Sequence, residues 1–89
     1  MLRINPIKQT LEEAVLSIEG RLAGPDVNLL EQELKQQLQK VKLLVLELQG
    51  LRHIDRDGLA MLERWVGEGL ELRGSTTFVR ALLKTRGLA

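Results

Sequence analysis

The sequence predicts a single α/β domain built on a mostly parallel four-stranded sheet with helices packed on it. Three observations carry that expectation. Segments alternating apolar and polar residues are interleaved with segments whose apolar residues recur every three or four positions, in the order β-β-α-β-α-β-α. The segment Lys42 to Leu48 (KLLVLEL) is almost continuously apolar, the pattern of a strand covered on both faces. The chain has 89 residues, one domain's length, so residues 1–89 form one unit with one core. Strands joined through helices imply right-handed crossovers.

The elements follow in order. Residues 2–8 read as a first strand that Pro6 confines to an edge or makes irregular. After a polar turn, Ala14 to Glu19 alternates, with Ala14, Leu16 and Ile18 on one face, and Gly20 ends the strand. Gly24-Pro25-Asp26 breaks the chain and starts a helix, with Asp26 as a cap or Gly24-Pro25 as its first turn. Val27, Leu30, Leu34, Leu38 and Val41 form that helix's apolar stripe, opposite Glu31, Gln32, Lys35, Gln36 and Gln39. Barely two heptads fit before the next strand, too few for a coiled coil.

The apolar strand over 42–48 leads through Gln49 to Ile54 into Asp55-Arg56-Asp57-Gly58, where a second helix starts. Its periodic residues are Leu59, Leu62, Trp65 and Val66, and Gly67 or Gly69 ends it; the spacing with Leu62 and Val66 reads Trp65 as a core residue, with an exposed anchor as the alternative. Leu70 to Arg73 is a short last strand. Ser75 caps a final helix carrying Phe78, Val79, Leu82 and Leu83, which Gly87 stops.

Composition excludes much chemistry. Thirteen Lys and Arg against 12 Asp and Glu leave a net charge of +1, without the basic excess that phosphate neutralisation by a nucleic-acid binder requires. Trp65 and Phe78 are the only aromatics of the Phe, Trp and Tyr class, so there is no platform for stacking bases. With no cysteine and one histidine, His53, disulfides and Cys/His zinc sites are excluded. No secretory signal is read at the start, and the longest apolar run, Leu43 to Leu46, is far short of a membrane span. A soluble cytoplasmic protein is expected.

Enzymatic motifs are absent too. His53, Asp55 and Asp57 share a face if extended, yet no other histidine or cysteine completes a metal site. Asp55-Arg56-Asp57-Gly58 has Val66 where a calcium loop needs its twelfth-position acid. Gly67-Glu68-Gly69 lacks the third glycine of a dinucleotide loop. No cofactor, metal or catalytic residue is expected. The informative segment is the strand-to-helix junction at 55–58. Such a junction lies at the carboxyl edge of a parallel sheet, presents unpaired N–H groups, and has Gly58 to admit close approach. Asp55 or Asp57 can cap the helix there.

Three blocks resemble the STAS family, the domain of sulfate-transporter tails and bacterial anti-sigma factor antagonists. Gly20-Arg21-Leu22-Ala23-Gly24-Pro25 resembles the family's Gly-x-Leu-Asp turn. Leu43 to Leu48, followed by Leu51-x-x-Ile54-Asp55-x-x-Gly58-Leu59, is similar to its strand and Asp-Ser-Ser/Thr-Gly-Leu junction. Gly69 to Leu72, with Val79, Leu82, Leu83, Gly87 and Leu88, resembles its last strand and helix. The resemblance implies a non-enzymatic binding module whose partner is an anti-sigma factor with a histidine-kinase-like ATPase fold. Contact is implied at Asp55, Arg56, Asp57, Gly58 and Leu59, with Arg21, Ala23 and Gly24 alongside.

In the family the partner phosphorylates the residue after the aspartate, and the added charge breaks the complex. Here that residue is Arg56, followed by Asp57, and Ala23 replaces the aspartate of the turn. Arginine accepts no phosphate, so the resemblance implies binding without that switch. Two alternatives remain. One is an accessory STAS subunit on an ABC-transporter ATPase, as in lipid-asymmetry transport. The other is a small nucleotide or anion binder at the Asp57-Gly58 helix start.

Overall fold

The computed structural model describes residues 1–88 and has seven elements. They are β1 (Leu2–Gln9), β2 (Glu13–Leu22), α1 (Pro25–Leu38), β3 (Leu43–Ile54), α2 (Arg56–Trp65), β4 (Leu70–Ser75) and α3 (Thr77–Lys84). The sheet order is β1-β2-β3-β4. β1 is antiparallel to β2, whereas β2–β3 and β3–β4 are parallel, so the sheet is mostly parallel as predicted. β1 is an edge strand with a register shift between Pro6 and Lys8, the irregularity its proline implied.

One core lies under the helices. Ala14, Leu16 and Ile18 of β2 join Leu44, Leu46 and Leu48 of β3 in it. Val27, Leu30 and Leu34 of α1, Leu59, Met61 and Leu62 of α2, and Val79 and Leu83 of α3 pack on them. All three helices therefore cover the same face. The apolar run of β3 had predicted cover on both faces, and that is corrected here. Val15 and Val45 are paired in register on the other face and buried, but outside the core cluster. Their rows are flanked by long polar side chains, with ion pairs Lys8–Glu13 (3.8 Å) and Arg73–Glu71 (3.0 Å). A short valine row beneath such side chains satisfies the hydropathy pattern without a helix above it.

Several boundaries move. β2 and β3 run on to Leu22 and Ile54, because parallel pairing resumes after register shifts near Gly20 and Gly50. Gly20 sits within the strand at φ 96°. Gly24 is the N-cap of α1, at φ 59° with no side-chain cap, and Pro25 follows in the first turn. Asp26 is thus inside the helix, not its cap. Ser75 ends β4, and Thr76 caps α3 by accepting the Val79 N–H at 3.2 Å. Val66 and Phe78, assigned to core stripes by spacing, are 36% and 57% exposed. α2 ends at Trp65, and Val66 turns to extended geometry, so the helical period no longer applies to it.

Candidate functional site

The junction predicted as informative is built around Asp55. Its backbone N–H donates to the Leu22 carbonyl at 3.1 Å, continuing the β2–β3 ladder by one bond past Ile54. Its side chain then accepts twice. Oδ1 takes the Gly58 N–H at 2.7 Å, capping α2, and Oδ2 takes the Gly24 N–H at 3.0 Å. One carboxylate therefore ties the β3–α2 junction to the β2–α1 turn, 31 residues away in the chain. Burial pushes the Asp55 carboxyl up, but the N–H groups of Gly58 and Gly24, with His53 nearby, hold it below the ordinary 3.8.

The tie decides which site residues face solvent. Arg56 and Asp57, the first two residues of α2, are exposed, as are Arg21 and Gly24, while Ala23 is half-buried. Arg21 pairs in register with His53, and Leu22 with Ile54, so the β2–α1 turn lies beside the start of α2 as expected. Gly58 and Leu59 face inward. Leu59 is a core residue. A Cβ on Gly58 would sit 2.9 Å from both the Leu22 carbonyl oxygen and Ile54 Cγ1. The glycine thus admits the end of β2 against the helix, not an outside partner.

Two features escaped the sequence reading. His53 and Phe78 stack with centroids 6.5 Å apart and rings inclined at 22°. The exposed Phe78 ring thus stands beside the β3–α2 junction, on the first turn of α3. No sequence period links positions in different elements; the signal was an aromatic at a helix start, read as core. Trp65 is half-buried against the core, near its expected place, but its Nε1–H donates to Glu31 Oε2 at 2.7 Å. Arg64 adds a 2.9 Å bond to the same oxygen. The Trp65 bond is the main reason the Glu31 carboxyl lies below its ordinary 4.5; burial opposes it and Arg64 and Lys35 add to it. The group clasps α1 to α2.

For ligand chemistry the site offers little enclosure. Among the described residues no three His, Asp or Glu side chains converge as a metal site would need. Asp55 is committed to two N–H groups. Among the described residues no helix is long and apolar enough to cross a membrane.

A four-stranded mixed sheet with three helices on one face, and an aspartate-capped helix at the carboxyl edge, defines a small α/β domain of the SpoIIAA-like fold. The anti-sigma factor antagonist SpoIIAA, in its unphosphorylated form, superposes with a TM-score of 0.73. It is 14% identical, over 92% of this chain and 82% of that one. An uncharacterized DUF3478-family protein with a SpoIIAA-like fold, from Shewanella loihica PV-4, gives a TM-score of 0.59. It is 11% identical, over 94% of this chain and 75% of the other. No curated protein sequence matches. A family model described as "Mlab, STAS domain" matches residues 6–89, and the chain belongs to that STAS family.

Proposed function

We propose that this chain is a non-enzymatic protein-interaction module of the bacterial cytoplasm that docks on an ATPase-fold partner. Its contact surface is the exposed start of α2, Arg56 and Asp57, with Arg21, Ala23 and Gly24 of the neighbouring turn. Asp55, Gly58 and Leu59 support that surface from beneath. The observation that carries the reading is the double bond-acceptor role of Asp55, which fuses two loops into one presented surface. It works without cofactor or metal.

The likeness to an anti-sigma factor antagonist supports an anti-sigma factor of histidine-kinase-like ATPase fold as partner. With Arg56 in place of a hydroxyl residue, binding is constitutive, and the guanidinium meets an acidic group of the partner. Membership of a STAS family is also compatible with the second partner class that the sequence resemblance implies, the ATPase of an ABC transporter bearing this chain as an accessory subunit. Affinity capture from native cells, with wild type and Arg56→Glu in parallel, tests both. Wild type should retain one ATPase, whose identity selects the class, and the variant should lose it. Equal recovery by the two proteins refutes the proposed surface.

A further inference from the structure

We infer that an arginine-lined trough at the carboxyl ends of β2 and β3 receives an acidic segment of the protein partner. The inference rests on the interaction-module reading and extends its surface from the start of α2 to the start of α3. The trough is open, about 1000 Å³, with Arg3, Arg21 and Arg52 along it and Gly20, Gly50 and Thr76 among its other lining residues.

Its charge is not balanced from within. Glu19, the one carboxylate lining it, is engaged by Arg3 at 3.6 Å and by the Asn5 side-chain amide at 3.1 Å. Arg21 and Arg52 are exposed, and among the described residues neither has a carboxylate within 4.0 Å. Arg56, outside the lining at the start of α2, is in the same condition among the described residues. The whole chain is near neutral at +1, so this local excess is segregated, not a bulk property.

The cations are also of one kind. All five lysines, Lys8, Lys35, Lys40, Lys42 and Lys84, lie outside the trough lining. Guanidinium groups present a planar fork that matches a carboxylate in two parallel hydrogen bonds, which an ammonium cannot do. Phosphate would satisfy the same fork. The surroundings favour a protein chain, because the trough is open and, of its residues, Arg52 precedes His53 and Thr76 lies two positions before Phe78, the members of the stacked pair. An exposed ring held by a neighbour is a rigid anchor for an apolar side chain, as at interface centres. The fitting occupant carries carboxylates for Arg21 and Arg52 and an apolar side chain for Phe78.

The test is a titration of the isotope-labelled full chain, followed by amide shifts, with three probes. These are a short Glu- and Asp-rich peptide bearing one leucine, inorganic phosphate, and ATP. The peptide should move Arg21, Gln49, Arg52, Thr76 and Phe78 saturably. Arg21→Glu with Arg52→Glu should weaken it by at least about tenfold. Lys40→Glu with Lys42→Glu, an equal change of net charge elsewhere, should alter it less than about threefold. No saturable shift, shifts centred on the lysines, or tighter binding of phosphate or ATP overturns the inference. A photo-crosslinker placed at position 78 in the native complex should capture an acidic peptide of the partner. Crosslinks from position 57 with none from 78 leave the α2 surface standing and remove the trough. None from either removes both.

Discussion

Replacing Asp55 removes two hydrogen bonds with one side chain, and their separate sizes can be worked out. The 2.7 Å bond to the Gly58 N–H is a helix cap, whose loss costs about 1 kcal/mol. The 3.0 Å bond to Gly24 is charge-assisted, but Gly24 is exposed and its N–H regains water when the carboxylate goes. Discounted for that, it contributes about 1 kcal/mol. Asp55→Ala should therefore destabilise the fold by about 2 kcal/mol, and Asp55→Asn, whose single oxygen can still cap α2, by about 1 kcal/mol. At this chain length the alanine variant should melt about 8–16 °C lower.

The pH dependence has a fixed sign. The folded Asp55 carboxyl titrates below 3.8, so the folded state binds fewer protons than the unfolded one in that range. Its contribution is complete above the unfolded value and is lost as pH falls through the folded one. Urea unfolding of wild type and both variants, at neutral pH and at about pH 3, checks this, with the gap to Asp55→Asn narrowing at low pH. An alanine variant within about 0.5 kcal/mol of wild type, or no difference between alanine and asparagine, refutes the two-bond account.

Three further outcomes follow from packing and capping. Gly58→Ala places a Cβ 2.9 Å from the Leu22 carbonyl, and should cost about 1–2 kcal/mol despite alanine's better helix propensity, measured by urea midpoint. Trp65→Phe keeps an aromatic side chain but removes the Nε1–H donor, leaving Glu31 with Arg64 alone; it should cost about 1 kcal/mol and raise the Glu31 carboxyl toward its ordinary value, which carbon-detected NMR titration reads. Thr76→Ala removes the cap of α3 and should cost about 1 kcal/mol, with amide exchange faster at Val79 than in β3.

The order of elements and the mostly parallel sheet were legible because period and length suffice for them: KLLVLEL reads as a buried strand, and Val27 to Leu34 as a core-facing helix. Asp55 as a cap was legible as well, since a carboxylate three residues before a helix's third N–H is a local relation. What could not be read was non-local. Nothing in the row of letters states that the second oxygen of Asp55 reaches Gly24, or that Gly58 is small on account of Leu22. Phe78 was misplaced because helical spacing assigns it to Val79's stripe, whereas it is exposed on the first turn of α3 with its ring stacked on His53. Val45 misled in the opposite direction, being buried by neighbouring polar stems instead of a helix.

The Asp55 tie has a kinetic meaning as well. Gly24 lies on the surface, where an amide ordinarily exchanges its hydrogen freely, yet its N–H is held by a residue at the far end of β3. For that hydrogen to exchange, the β2–α1 turn must move off Oδ2 of Asp55, while Oδ1 can keep its bond to Gly58 and the cap of α2. Protection of the Gly24 amide therefore reports how firmly the β2–α1 turn is held against the β3–α2 junction. A partner approaching this edge meets backbone already fixed in place, with no loop left to order on arrival.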